Sequence, residues 1–123
     1  MSRASELKRI QHLNLPDSYK EVLTQFEFFC LYEYEGREIE LWSFANLFSY
    51  INRDYYQWEL LEYFSASNAE YTFTFGSSHD DARLYFDLTD FSVWEYWLDD
   101  DSTDKVADSF DEIISKAKLI DKE

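Results

Sequence analysis

Tyr71-Thr72-Phe73-Thr74-Phe75, Arg83-Leu84-Tyr85-Phe86-Asp87-Leu88 and Val93-Trp94-Glu95-Tyr96-Trp97-Leu98 are three runs in which large apolar residues alternate with smaller or polar ones. A period of two places successive side chains on opposite sides of the backbone, so each run reads as a strand with one buried face. Their aromatic and β-branched content suits a pleated surface. In the second run Leu84, Phe86 and Leu88 share one side, and Arg83, Tyr85 and Asp87 share the other. In the third, the charge on Glu95 marks the outward side. The stretch Tyr71–Leu98 therefore predicts the centre of a twisted antiparallel sheet, which the two ends of the chain must cover.

Outward from this centre, helical periodicity appears at both ends. Leu7, Ile10 and Leu13 predict a short first helix with Ser5 as its cap. Pro16 suits the first position of a second helix, Asp17 its positive end, and Tyr19, Val22, Leu23 and Phe26 form its single apolar stripe. Ser109 followed by Glu112 is a capping box. It opens a closing helix that runs to about Leu119, with Phe110, Ile113, Ile114 and Ala117 inward.

Between the second helix and the sheet centre, Glu27–Trp42 reads as a hairpin turning at Glu35-Gly36, because a two-residue turn needs the positive φ that glycine accepts. That register sets Tyr32 opposite Ile39 and Cys30 opposite Leu41 on the inward side. Glu33 then faces Glu38, and Leu31 faces Glu40, on the outward side. A turn one residue longer would pair Glu33 with Ile39, which fits worse. The preferred register places like charges together, which does not favour stability. Ser43–Ile51 reads as a short helix on Phe44, Leu47, Phe48 and Ile51. Asn52–Glu62 fits either a helix over the sheet or an irregular connection into a strand near Leu61–Phe64. Gly76–Asp81 reads as a polar loop. The fold class is thus α+β: a central, mainly antiparallel sheet packed by N-terminal and C-terminal helices, in a single domain of 123 residues.

Composition narrows the function. Apolar residues make up 46% of the chain and aromatics 20%, enough for a core despite a formal net charge of −15. Such a charge repels phosphate backbones and steers the chain toward basic protein partners, so direct nucleic-acid binding is disfavoured. The charge is also polarised. Asp80–Glu112 holds twelve acidic residues against two basic ones, whereas Met1–Phe26 holds three against four. No apolar run is long enough to span a bilayer and no signal peptide is visible, which predicts a cytoplasmic chain without membrane contact. The lone Cys30 lies among Phe28, Phe29 and Leu31 and reads as a buried, inert thiol.

Catalytic templates fail one by one. Neither His12 nor His79 has a serine or cysteine nucleophile with an orienting third group. The acidic run Asp99–Asp104 lacks the glycine and glutamate of a calcium loop, with Asp104 and Phe110 at those positions. Two glycines cannot build a phosphate loop. His79-Asp80-Asp81 as the centre of a metal-assisted hydrolase is a minor reading beside a solvated loop. The expectation is a non-enzymatic protein with no cofactor and no metal. What remains is a surface on which Glu33, Glu38, Glu40, Asp87 and Glu95 surround Trp42, Tyr85 and Trp97, followed by the acidic loop Asp99, Asp100 and Asp101. Carboxylates steer and orient a basic partner, and Trp and Tyr anchor interfaces. The competing structural reading has Asn52–Glu62 covering these aromatics and the acids as ordinary solvated positions.

Two patches also resemble a known family. Leu15-Pro16-Asp17-Ser18-Tyr19-Lys20-Glu21-Val22-Leu23 resembles the opening of the SUKH superfamily, and Val106-Ala107-Asp108-Ser109-Phe110-Asp111-Glu112-Ile113-Ile114 resembles its closing signature. The chain departs from the usual pattern by carrying Phe26-Glu27-Phe28-Phe29 where such proteins have an Asn-Gly type turn. The resemblance implies an α+β fold. It also implies either an immunity protein that binds and neutralises a bacterial toxin, often a nuclease, or a regulatory or scaffolding interaction module like the fungal relatives that act in cell-wall synthesis.

Overall fold

The computed structural model describes residues 2–47 and 72–123. In chain order these form α1 (Arg3–Gln11), α2 (Asp17–Leu23), β1 (Phe29–Tyr34), β2 (Arg37–Trp42), α3 (Phe44–Leu47), β3 (Thr72–His79), β4 (Ala82–Asp87), β5 (Val93–Trp97), β6 (Thr103–Ala107), α4 (Phe110–Lys116) and β7 (Lys118–Lys122). The strands make one sheet in the order β6-β5-β4-β3-β2-β1-β7. Every neighbouring pair is antiparallel. The α+β expectation therefore holds. Tyr71, the end of the helix expected over Ser43–Ile51, and the whole of Asn52–Phe64 lie outside the described residues.

The β1–β2 hairpin has the expected register, with Tyr32 opposite Ile39, Cys30 opposite Leu41, Glu33 opposite Glu38 and Leu31 opposite Glu40. Both turn residues are left-handed, Glu35 at φ 49° and Gly36 at φ 81°. That is the two-residue turn whose twist matches the flanking strands. Other expectations need correcting. Ser2, not Ser5, caps α1, its Oγ accepting from the Ser5 amide at 3.2 Å. Pro16 sits at the cap position before α2 rather than inside its first turn. Gly76–His79 belong to β3, which carries two bulges, and the turn is confined to Asp80 and Asp81. The closing helix stops at Lys116, and β7 follows it. Ser109 does cap α4, its Oγ accepting from the Glu112 amide, while the Glu112 carboxylate accepts from the Asp108 amide.

The core lies between the helices and one face of the sheet. Ile10, Leu13, Tyr19, Val22, Leu23, Phe26, Phe110 and Ile113 meet Ile39, Leu41, Phe73, Phe75, Leu84, Phe86 and Val93 there. Tyr19 is its hub, with edge contacts to Phe75, Phe86 and Phe110 at ring distances of 5.2, 5.2 and 5.3 Å. Such T-shaped pairs add to the burial energy of the rings. The Tyr19 hydroxyl, however, is buried with no hydrogen-bond partner among the described residues. Burial also pushes its pKa far above the usual tyrosine range. Removing an unsatisfied hydroxyl relieves a desolvation cost, so Tyr19→Phe should raise stability by about 1 kcal/mol in urea unfolding. A lower midpoint at unchanged slope would mean that the hydroxyl is satisfied.

Candidate partner-binding surface

Directly paired residues on neighbouring strands point to the same face, so the register defines what the sheet presents away from α1, α2 and α4. Glu33 pairs with Glu38, Leu31 with Glu40 and Phe29 with Trp42. The row through Glu40 continues to Ser77, to Arg83, to Tyr96 and to Thr103. Tyr85 lies in a second row, between Thr74 and Trp94. Glu33, Glu38 and Glu40 are exposed; Trp42, Tyr85 and Asp87 are half-buried.

This region contains a hollow of about 440 Å³ whose walls include Glu38, Glu40, His79, Asp80, Asp81 and Trp97, with Leu31, Ser77 and Ser78 between them. Three elements bring these residues together. The β1–β2 turn sets Glu38 and Glu40 on one strand. The β3–β4 turn delivers Asp80 and Asp81. The end of β5 is docked on that turn by a hydrogen bond from the Leu98 amide to the Asp81 carbonyl at 2.8 Å, so Trp97 stacks on His79 with ring centroids 5.0 Å apart and 22° between planes. Among the described residues no lysine or arginine forms an ion pair with Glu33, Glu38, Glu40, Asp80 or Asp81. Their charges are left to solvent or to a ligand.

Glu95 does not belong to this exposed set. Only 3% of it is accessible, and it faces the same side as Val93. The partner that permits this is remote in sequence. Arg37 donates through Nε at 3.1 Å and Nη2 at 3.4 Å, and Ser78 donates through Oγ at 2.8 Å. Burial pushes the Glu95 carboxyl up, but the Arg37 and Ser78 hydrogen bonds, with the charges of Arg37 and His79, outweigh it and leave the group below the usual range. This bridge ties β2 to β5 across the two strands between them.

Breaking a buried pair leaves the other charge uncompensated, so Glu95→Gln should cost about 3 kcal/mol near neutral pH. A depressed folded-state pKa stabilises above the unfolded value of about 4.3, and that contribution disappears as pH falls through the folded value. Urea midpoints from pH 7 to pH 2 should therefore fall more steeply for the parent than for Glu95→Gln. Parallel curves would show that Glu95 contributes nothing through its charge.

Other acids are occupied by their own turns. The Asp87 carboxylate accepts from the Thr89 amide and hydroxyl at 2.9 and 2.6 Å. Asp100 accepts from the Ser102 amide at 2.9 Å, and the Ser102 bonds hold its carboxyl below the usual range. Asp101 accepts from the Tyr96 hydroxyl and is left-handed at φ 58°. Asp99, Asp100 and Asp101 are all exposed in the turn that follows Trp97. Trp42 packs against the core with part of its surface. Of the residues singled out in the sequence, the structure thus brings Glu38, Glu40 and Trp97 together at the hollow, with Glu33 on the face of Glu38 and Glu40. Trp97, opposite Ala82, belongs by register to the side of Val93 and Glu95 rather than to the outward side expected for it. Asp87 is engaged in its own turn, and Glu95 is buried. His79, Asp80 and Asp81 join the hollow, although their sequence signal was only that of a polar loop or a weak metal motif. Among the described residues, no group of three or more His, Cys, Asp or Glu side chains is placed to hold a metal ion. No described helix is long and apolar enough to cross a membrane.

Comparison with protein families gives one result that decides the relationship. The model of the SMI1 / KNR4 family (SUKH-1) matches residues 5–116. The chain belongs to this family. The match takes in both signature patches, from the first turn of α1 to the last residue of α4. Neither the curated proteins nor the solved structures gave a match. SUKH-1 membership is consistent with a toxin-immunity role or an SMI1/KNR4-like role, and in either case with a protein that works on a protein partner.

Proposed function

We propose that this SUKH-1 protein is a cytoplasmic immunity protein that binds and neutralises a basic bacterial toxin domain, a nuclease being the type that fits best, and that it does so without catalysis of its own. The observation that carries this reading is the hollow walled by Trp97 and by Glu38, Glu40, Asp80 and Asp81, with no cation answering those charges among the described residues. A nuclease needs a cationic cleft to hold phosphates, so an acidic surface is attracted to that cleft and can block it. The exposed carboxylates supply long-range steering and orientation. Trp97, a large and rigid side chain in the wall of the hollow, supplies the contact that slows release. Glu33, on the face of Glu38 and Glu40, and the exposed turn Asp99–Asp101 enlarge the negative field.

The test is co-purification with any basic toxin domain found to be encoded beside this gene, together with inhibition of that domain's activity at equimolar ratio. Stable complex formation with loss of activity supports immunity. A toxin domain that stays active and unbound contradicts it and leaves a regulatory or scaffolding module as the reading.

A further inference from the structure

At the edge of the sheet opposite β6, β7 covers the outer side of β1 while adding nothing to the core, since all five of its side chains are exposed. Its hold is through the main chain. Glu33 pairs with Lys118, Tyr32 with Leu119, Leu31 with Asp121 and Cys30 with Lys122, and a bulge leaves Ile120 without a counterpart. Beyond it, the main-chain oxygen of Glu123 accepts from three successive amides, those of Glu27, Phe28 and Phe29, at 3.2, 2.6 and 3.0 Å. Converging amides of this kind form a concavity that suits a carboxylate or carbonyl oxygen.

Three further observations mark this strand as replaceable. Of the four large hydrophobic residues exposed among the described residues, three lie here: Phe28, Leu119 and Ile120. Apolar surface gathered at one sheet edge marks an interaction site more often than chance exposure does. The residues of β7 also fit a different structure. Phe110, Ile113, Ala117 and Ile120 continue the helical stripe of α4, Ala, Leu and Lys favour helix, and the Ala117 amide still bonds the Ile113 carbonyl at 2.7 Å. A segment whose local preference opposes its observed state is easily displaced. Finally, the family match ends at Lys116, so β7 lies outside the matched residues.

We propose that the outer edge of β1 is a strand-addition site for a second protein, and that β7 is a displaceable strap covering it. The occupant is an extended segment with a basic residue opposite Glu33, as Lys118 is now, and an oxygen seated in the Glu27–Phe29 amides. A second copy of this chain is a poor occupant, because two molecules of net charge −15 repel each other. The site adjoins the Trp97 hollow, since Leu31 borders both, and it does not require the partner to be a toxin.

The probe is a fluorescein-labelled peptide with the sequence Ala117–Glu123, titrated into the full chain, its Leu119→Pro and Lys118→Glu variants, and Leu119→Pro combined with Glu33→Lys. Proline removes the strap's fit to β1, and glutamate sets a like charge against Glu33 while sparing the backbone. The peptide should bind each single variant about 10-fold more tightly than the parent, as expected when a competing intramolecular strand is weakened, and Glu33→Lys should abolish the gain. In the parent, amides of β7 and of Glu27–Phe29 should exchange hydrogen about 100-fold faster than those of β3 and β4, through local opening. Saturable binding to neither single variant overturns the proposal. So does exchange in β7 as slow as in β3 and β4, because the strap would then open only when the whole molecule unfolds.

Discussion

Gly76→Ala is expected to destabilise the fold by about 3 kcal/mol, and the reason is backbone rather than side-chain packing. A Cβ at this position would lie 2.2 Å from the Glu40 carbonyl oxygen, 3.2 Å from the Glu40 carbonyl carbon and 3.3 Å from the Leu41 Cα. All three atoms are main chain of the neighbouring strand, so no rotamer change relieves the clash. The β2–β3 ladder is short, with Glu40 opposite Ser77 and Leu41 opposite Gly76. It joins β7, β1 and β2 to the remaining four strands. Pushing the ladder apart at Gly76 therefore strains the seam between the two halves of the sheet. The check is a urea unfolding curve. A loss within about 0.5 kcal/mol, typical of an exposed surface change, would show that the seam relaxes freely.

Trp97→Ala is expected to raise the dissociation rate of the proposed toxin complex by at least about 10-fold while changing the association rate little, as truncation of a central aromatic anchor does. Trp97 is half-buried, stacked on His79, and forms one wall of the hollow. Its loss should remove contact area while leaving the carboxylates and their steering field in place. The thermal midpoint of the free variant separates this effect from damage to the end of β5. An unchanged dissociation rate in surface plasmon resonance would place Trp97 outside the interface.

Much of the fold was legible because its determinants are local. Gly36 marks the hairpin turn, and the alternation on either side then sets every pair from Glu33–Glu38 to Cys30–Leu41. β4 shows the same clarity, since Leu84 and Phe86 must be buried together. β6 and β7 were not legible, for a shared reason. Thr103-Asp104-Lys105 and the residues of β7 bury no side chain, so strands held by main-chain bonds leave no hydrophobic period to detect. Residues 117–120 even satisfy the competing helical pattern.

The candidate site was legible in type but less so in membership. Glu95 was assigned outward because charge normally is, and the Arg37 that reverses this lies 58 residues away in sequence. Asp87 and Asp100 are bound by residues two positions on, a local role for aspartate that an acidic count cannot separate from a binding role. His79, Asp80 and Asp81 reach the hollow because two bulges carry β3 further than its alternation suggests.

The most direct test of an acidic surface built for a basic partner is the association rate with the toxin domain as salt is varied. It compares the parent with a variant carrying Glu38→Gln, Glu40→Gln, Asp80→Asn and Asp81→Asn. The parent should associate at least about 10-fold faster at low salt than at 0.5 M, and the variant should be slow and nearly insensitive to salt. Equal rates and equal salt dependence for the two proteins would contradict the account.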